Sequence, residues 1–565
     1  MGALRTREAF ATCRPFSAMI LGFGSEFLYR DGVLCYLRGH AIHVLNVHEA
    51  ANAEMVITLP PKIYGMMDCR IKLMSFQDNV LVILCMPPST TAKSIILAIN
   101  TLPSTLPDAE RIRLSVRVPR SSTCFIRHNP RHVIYGLYSD TVVGWHGHRE
   151  WQFWHFKLSS SQEGRKLPQL TSHPGMDIGS TVVFEIFDDI FYVLSSQVTV
   201  DTEEQDPISY YHVSRYDIRE VELEKPESWP MWRRQHREGP IHDSWTDLAL
   251  GRDECSGGLL ITETRREWQD GHSKQKRTCY FRPLIDADAA AAENSGDTTI
   301  NEPPASDTIV STAPVGESAR WTPPPDPSVQ ENTRAHSPPS RTRDPRLPRH
   351  CHPEYKDDQP PSEFRDYRLA QTKYRVYNYS SAAFLDIVYE DHSSAHYPSF
   401  KQQLRFRVQS RIQTGSEDCF EDRGIRTWPP LDAPGELLKL LNPGSGASEL
   451  DGYSDERSVV YMAGSDISGQ GKPIVLVNFD PLIRFSGLKT LDQPERRGNE
   501  PNSPMVNDGV SLGQRSMRSQ GQPSEMPGAS SSSNPTADPG TGGRVSRFRQ
   551  VRAMWQQIGC GYQLR

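Results

Sequence analysis

The sequence predicts a mainly β protein, best described as a β-propeller of about seven antiparallel blades with few helices and long disordered segments. Short apolar runs alternate with tight turns, and hardly any helical periodicity separates them. No WD dipeptide recurs along the chain, so the prediction rests on the spacing of the strands. A pair of β-sandwiches is the alternative architecture.

Composition limits the classes of function. The 565 residues include 63 Lys+Arg and 69 Asp+Glu, which gives a formal net charge of −6. This balance argues against a nucleic-acid binder that relies on bulk positive charge. The longest apolar run, Val80–Met86, is far shorter than the ~18 residues of a membrane span, so no membrane partner is expected. The ten cysteines form no CxxC pair, so we expect an intracellular protein, cytoplasmic or nuclear.

The folded material is predicted in two parts. Residues 1–22 are expected to form an N-terminal helix and a lead-in strand, which completes the last blade and removes its exposed edge. Residues 23–285 form the first part of the propeller, and the dipeptide Asp31-Gly32 is a hairpin turn in its opening unit. Residues 366–487 form the remainder, with a second helix at 436–441.

Two long segments are predicted to be disordered. The insert 286–365 is rich in Pro, Ser and Ala and contains only three aromatic residues, so it buries too little apolar surface to fold. The tail 488–565 contains no aromatic residue up to position 546. Its last residues, SRFRQVRAMWQQIGCGYQLR, are interpreted as a solvated tail, with a marginal helix as the alternative.

Sequence motifs of catalysis are missing from the parts of the chain predicted to fold. Neither a GxSxG nucleophile elbow nor an HExxH zinc helix occurs in 1–285 or 366–487, so no catalytic residue and no cofactor are predicted. The stretch WHGHREWQFWHF places His146 and His148 on one face of a strand, with His155 nearby. Three imidazoles suit zinc or copper, but no fourth ligand is identifiable, and no metal site is predicted.

The densest polar and aromatic stretch, 229–254 with 264–271, is the candidate partner-binding surface. Arginines there are able to fork onto carboxylates or phosphates, and tryptophans are typical interface anchors. The candidates are Trp232, Arg233, Arg234, Arg237, Trp245, Arg265, Arg266 and Trp268. In the alternative interpretation the tryptophans pack under the sheet and the arginines pair with acidic neighbours, namely Glu238, Asp243, Asp247 and Glu267.

Several blocks of the chain carry a family resemblance. They are TREAFATCRPFS with FLYRDGVLCYL, WRRQHREGPIHDSWTDLALGRDE with LLITETRREW, and RGIRTWPPLDAPGELLKLLNP with DERSVVYM. Together they resemble the region C-terminal to the F-box in a large group of fungal F-box proteins, over most of 5–285 and 370–485. In that family the F-box docks on the Skp-type adaptor of a cullin–RING ubiquitin ligase, and the C-terminal part selects substrates.

The resemblance implies a substrate-recognition module for an unknown protein substrate. An F-box is a leucine-rich helical segment of the N-terminal region, and none is recognisable in this chain, so the adaptor is expected as a partner only if an F-box lies upstream. The alternatives are a stand-alone propeller scaffold unrelated to ubiquitination and a propeller enzyme such as a hydrolase. Converging carboxylates with strongly shifted pKa values in a pocket would favour the enzyme.

Overall fold

The computed structural model is a seven-bladed β-propeller, which confirms the predicted fold class. The chain divides into two units, residues 1–490 with 547–565 and residues 491–546, and of the second only Leu491 is described. The structure describes residues 2–59, 62–63, 66–67, 69–89, 92–102, 108–139, 149–158, 164–170, 175–196, 208–219, 225–235, 241–253, 256–268, 275–290, 370–390, 403–410, 425–430, 433–443, 450–466, 469, 471–491 and 547–565.

Each blade is a sheet whose first strand lies innermost, and its other strands follow from the axis outward. Neighbouring strands are antiparallel except for the outermost pair of blade 7, Gly561–Gln563 with Lys489–Thr490, which is parallel. Blade 1 has Glu26–Arg30, Val33–Arg38, Ala41–Asn46, Ala53–Thr58 and Phe548–Arg552. Blade 2 has Arg70–Gln77, Val80–Met86, Ser94–Asn100 and Ile112–Val118. Blade 3 has Cys124–His128, His132–Tyr138, Trp151–Lys157 and Arg165–Lys166. Blade 4 has Val182–Phe187, Ile190–Ser195, Ile208–Asp217 and Glu227–Gln235.

The remaining blades differ more in strand number. Blade 5 has three strands, Ile241–Arg252, Leu259–Trp268 and Gln275–Pro283. Blade 6 has Ala370–Asn378, Ala383–Glu390, Gln403–Ser410 and Ile425–Trp428. Blade 7 has Asp451–Ser454, Ser458–Met462, Lys472–Asn478, Ser17–Gly24, Gly561–Gln563 and Lys489–Thr490. A small hairpin, Lys62–Ile63 with Met66–Met67, stands apart from the blades.

Tight turns of the predicted kind begin several blades. Asp31-Gly32, Asp78-Asn79 and Asp188-Asp189 join the first two strands of blades 1, 2 and 4, and all six residues have positive φ. Two successive positive φ values define the hairpin turn whose twist matches that of the flanking strands. Asp, Asn and Gly tolerate this backbone better than other residues, which explains their presence at these positions.

The hydrophobic core lies in layers between neighbouring blades. The second strand of blade 2 shows the arrangement: Leu81, Ile83 and Cys85 pack towards blade 1. The alternate residues Val80, Val82 and Leu84 pack towards blade 3. Because successive side chains of a strand point to opposite faces, a strand buried on both faces is a continuous apolar run.

Helices are few in the described part of the chain. Gly2–Ala11 and Gly435–Leu441 form where the sequence predicted helices, and Asp108–Arg111 and Met554–Ile558 are short additions. No helix of the described residues is long and apolar enough to cross a membrane.

The N-terminal strand closes the ring in the predicted way. Ser17–Gly24 pairs antiparallel with Lys472–Asn478, so the beginning of the chain completes the last blade. The innermost strands of blades 7 and 1 are also in contact, which joins the two ends of the ring.

The C-terminal residues 547–565 differ from the prediction of a disordered tail. Phe548–Arg552 adds a fifth strand to blade 1 by pairing with Ala53–Thr58. Gly561–Gln563 pairs with the N-terminal strand in blade 7. Between them Trp555 is 3% exposed, and its indole N–H donates to the carbonyl of Ala51 at 3.0 Å. We call residues 547–565 the C-terminal clasp, because it fastens blade 7 to blade 1.

Candidate functional site: one face of the propeller

The two ends of the propeller are built differently. We call the end where the innermost strands begin the loop face. At this end the second and third strands of most blades are joined by long connections, namely 87–93, 139–150, 196–207, 269–274, 391–402 and 463–471. At the opposite end, the turn face, the first and second strands are joined by short turns such as Asp31-Gly32 and Asp188-Asp189. Binding residues are disproportionately found on loops held by a rigid scaffold, so the loop face is the candidate site.

The turn face joins blades through polar contacts. Asp455 of blade 7 accepts hydrogen bonds from Tyr29 Oη at 2.6 Å and from Ser458 N at 2.8 Å, and its Oδ2 lies 2.8 Å from His48 Nε2. Although burial alone would raise the pKa of Asp455, the contacts with His48 and Tyr29 hold it below its ordinary value. Ser458 Oγ lies 2.6 Å from Tyr29 Oη and is buried. This combination of serine, histidine and aspartate is therefore a joint between blades 1 and 7.

Two arginines of the predicted partner-binding surface lie in the core. Arg233 in blade 4 and Arg265 in blade 5 both donate to the buried carboxylate of Glu263, Arg233 Nε at 3.1 Å and Arg265 Nη2 at 2.6 Å. Tyr211 Oη donates to the same carboxylate at 2.5 Å. The side chains of Arg233 and Arg265 are only 7% and 1% exposed. These two residues therefore join blades 4 and 5 and are not surface anchors, which corrects the prediction.

For the other six candidates, the partner-binding role remains a prediction. Trp232 is half-buried, and the guanidinium of Arg282 lies 5.3 Å from its ring centroid. Four more candidates lie on strands that begin or end at the loop face of blades 4 and 5, and their side chains are outside the described part of the structure. These four are Arg234, Trp245, Arg266 and Trp268. Arg237 lies in the connection 236–240, outside the described residues.

The three histidines considered as metal ligands are only partly visible. His146 and His148 lie outside the described residues. His155 is buried, and its Nε2 lies 2.9 Å from Nδ1 of His132. Burial, and then the neighbouring His132, lower the pKa of His155 to about 4. The described part of the chain holds no group of three or more His, Cys, Asp or Glu side chains arranged for a metal ion.

A cavity of about 680 Å³ opens at the loop face where blades 7, 1 and 2 meet. Asp451 of blade 7, Glu26 of blade 1 and Arg70 of blade 2 line it, and each is the first residue of its innermost strand. His40, from the turn between the second and third strands of blade 1, and Tyr453 complete the polar lining. Sequence reasoning missed this cavity because its residues are distant in the chain; the signal available was a charged residue at the start of three strands.

The electrostatics of the cavity centre on Glu26. Burial raises the pKa of Glu26 to about 7, and Asp451 adds a smaller upward contribution. Lys72, a backbone N–H at Leu73 and Arg70 act in the opposite direction. Burial also raises the pKa of Tyr453, with smaller contributions from Asp451 and Glu26. The cavity therefore holds one carboxyl group that titrates near neutral pH beside an aromatic ring.

Exposed apolar side chains lie at both ends of the ring, with Leu102 and Tyr379 at the turn face and three others at the loop face. Met176 and Ile178, in the connection that leads into blade 4, are 49% and 38% exposed. Tyr453 in the cavity is 37% exposed, and its ring meets that of Phe27 edge to face at 5.1 Å. Aromatic residues and methionine are enriched at protein interfaces, so these three positions are suited to contact a partner.

Comparison with known proteins leaves the family of this chain open. No protein-family model and no curated protein matches the chain. The WD40 domain of SCAP from fission yeast is similar in structure, with 10% identity, a TM-score of 0.33, and coverage of 83% of this chain and 95% of that one. Drosophila Semaphorin 1a, extracellular domains 1-2, has 11% identity, a TM-score of 0.29, and coverage of 82% and 86%. A PL25 ulvan lyase has 8% identity, a TM-score of 0.27, and coverage of 68% and 78%.

Proposed function

We propose that the chain is a protein-interaction module that binds its partner on the loop face. The observation that carries this proposal is the cavity of about 680 Å³ at the loop face, which lies at the same end as the connections between second and third strands and the exposed Met176, Ile178 and Tyr453. The opposite end has short turns between the first and second strands and polar joints between blades, together with the connections 101–111 and 218–226 between third and fourth strands. A rigid ring that presents loops, a cavity and exposed apolar side chains at one end is suited to bind a macromolecule there.

Paired variants of exposed apolar residues test this proposal. Met176→Glu with Ile178→Glu places charge on the loop face, and Leu102→Glu is the control, because Leu102 is 45% exposed in a connection at the turn face. The full-length chain is tagged in cells of its source organism, and its partners are quantified by mass spectrometry. We expect the loop-face variant to lose partners that the control retains. Equal recovery with both variants, and with wild type, would refute the proposal.

We further propose that this module is the substrate-recognition half of an F-box-type ubiquitin ligase receptor, acting in the cytoplasm or nucleus. The support is the resemblance of the sequence blocks near the beginning, middle and end of the propeller to the post-F-box region of fungal F-box proteins. A chain extended upstream with the sequence of its own gene is expected to co-purify with the Skp-type adaptor. Its loop-face partners are expected to lose ubiquitin when that adaptor is depleted. An extended chain that fails to bind the adaptor would leave a stand-alone scaffold.

A propeller hydrolase is the second candidate, and one observation favours it. Glu26 and Asp451 line the same cavity, and Glu26 has the raised pKa that suits a general acid. Purified protein assayed against a panel of nitrophenyl glycosides and esters tests this candidate. Turnover that disappears in Glu26→Gln would support it, and turnover that persists unchanged in Glu26→Gln would exclude this cavity as the active site.

A further inference from the structure

Charge at the start of the innermost strands is confined to one sector of the ring. The innermost strands of blades 7, 1 and 2 begin with Asp451, Glu26 and Arg70, in the order acid, acid, base. The other four begin with uncharged residues, namely Cys124, Val182, Ile241 and Ala370. The charged sector is also the one that contains the cavity. Solubility alone would not require both acidic and basic residues at the strand ends that surround one cavity.

These charges are not used in ion pairs within the described part of the chain. The salt bridges found there include none of Asp451, Glu26 and Arg70, although Lys72 and, to a smaller extent, Arg70 lower the pKa of Glu26 against the effect of burial. Glu26 accepts a hydrogen bond from the backbone at Leu73, which leaves most of its acceptor capacity open. The cavity therefore offers acceptors from two blades and a guanidinium donor from the third.

The chemistry of the lining selects a ligand that carries both charges. A lysine or arginine side chain in this cavity meets the carboxyl groups of Asp451 and Glu26 and the exposed ring of Tyr453, and both kinds of group attract a cation. The guanidinium of Arg70 matches a carboxylate, which it is able to bind through two parallel hydrogen bonds. A phosphate backbone fits poorly, because two of the three charges are acidic.

We propose that the cavity binds an extended peptide segment of a partner protein in which a basic residue and an acidic residue are separated by one position. Side chains two positions apart in an extended segment point to the same side, so both enter the cavity together. The basic side chain lies against Asp451, Glu26 and Tyr453, and the acidic one lies against Arg70. This inference rests on the proposed function and names the class of ligand for the same face.

Peptide binding is measured by fluorescence anisotropy. The full-length protein is titrated into fluorescein-labelled dodecapeptides that have a Gly/Ser host sequence. The core Lys-Gly-Glu and its reverse, Glu-Gly-Lys, are compared with peptides in which Lys, Glu or both are replaced by Gln. We expect the better of the two orders to bind about tenfold more tightly than either single Gln peptide, because each replacement removes one charge-assisted contact.

Variants then assign each charge to its contact. Asp451→Asn, or Glu26→Gln where Asp451→Asn fails to fold, is expected to remove the preference for Lys and keep that for Glu. Arg70→Gln is expected to do the reverse. Asp78→Asn is the matched control, because Asp78 is an exposed residue of the turn face at a positive φ that Asn adopts readily. The control is expected to keep both preferences, and circular dichroism checks the fold of every variant.

The possible failures are separable. Equal affinity for the charged and the double-Gln peptides, or charge preferences that survive Asp451→Asn and Arg70→Gln, would overturn the inference about the cavity. Cellular partners that depend on Met176 and Ile178 but not on Asp451 or Arg70 would also overturn it, while the proposed function would stand. Peptide binding without any partner that depends on the loop face would instead overturn the proposed function.

Discussion

The carboxylate of Glu263 offers the sharpest test of how the blades are held together. It is 0% exposed and accepts hydrogen bonds from Arg233, Arg265 and Tyr211, so one negative charge compensates two buried guanidiniums. Glu263→Gln preserves the size of the side chain but removes that charge. Breaking a buried ion pair by removing one partner costs about 3–5 kcal/mol, because the opposite charge is left without compensation. We expect Glu263→Gln to lower the free energy of unfolding by at least that amount.

The reference variants separate charge from packing. Replacing all three charged residues with apolar ones, as Arg233→Met, Glu263→Leu and Arg265→Met together, removes every buried charge of this cluster and is expected to be neutral or stabilising by about 1–4 kcal/mol. Tyr211→Phe removes the hydrogen bond donated to Glu263 and the weaker one accepted from Arg265 at 3.2 Å, and it is expected to cost at least about 1.5–3 kcal/mol. Urea unfolding followed by tryptophan fluorescence gives the midpoints. The reasoning fails if Glu263→Gln costs under about 1 kcal/mol or if the triple variant is the least stable.

The pH dependence of stability, compared between wild type and Glu263→Gln, supplies an independent check. Burial alone would raise the pKa of Glu263, but the guanidiniums of Arg233 and Arg265 hold it well below its ordinary value. A carboxyl whose pKa is depressed in the folded state adds stability above its ordinary pKa of about 4.3 and loses it as the pH falls. The difference in stability between wild type and Glu263→Gln is therefore expected to be constant near pH 7 and to shrink below about pH 4.5.

Three further predictions concern the clasp and two titrating groups. Trp555→Ala is expected to cost about 3–5 kcal/mol in urea unfolding, because it empties a buried site between blades 7 and 1, whereas exposed Gln557→Ala is expected to stay within about 0.5 kcal/mol. Because Glu26 has a pKa of about 7 in the folded protein, wild type is expected to lose about 1–2 kcal/mol of stability, after allowance for solvent screening, as the pH rises from about 4.5 to 7. Glu26→Gln is expected to abolish that loss, which urea midpoints at both pH values measure. His155, with its pKa lowered to about 4, works in the other direction: wild-type stability is expected to decline as the pH falls from about 6.5 to 4, and a similar decline in His155→Gln would contradict this.

The strands were predictable because they depend on local patterns, whereas the closure of the ring followed from the propeller architecture, in which an exposed edge of the last blade needs a partner strand. The apolar run at Val80–Met86 and the turn at Asp31-Gly32 each contain the information that forms them within a few residues. The C-terminal clasp was not predictable in this way. Its stability comes from contacts such as that of Trp555 with Ala51, and no local pattern reports a partner 504 positions away.

The candidate site shows the same division between local and distant information. Arg233 and Arg265 were expected at the surface, or paired with Glu238, Asp243, Asp247 and Glu267, because these acids are close in sequence. The observed partner is Glu263, which shares a strand face with Arg265 and meets Arg233 only when blades 4 and 5 pack together. Composition shows where the polar and aromatic residues are concentrated, but the packing of the neighbouring blade decides which of them are buried.

Under the proposed function, one end of the ring serves mainly stability and the other serves binding. At the turn face, polar groups such as Asp455 and Asp189 are used up in contacts between blades, so substitution there is expected to affect folding first. At the loop face, Asp451 and Arg70 form no ion pair among the described residues, so their charge contributes little to holding the ring together. Charged groups that do not stabilise the fold are free to be selected for what they bind. A scan of charge-removing substitutions is therefore expected to separate by face, with losses of stability at one end and losses of binding without loss of stability at the other.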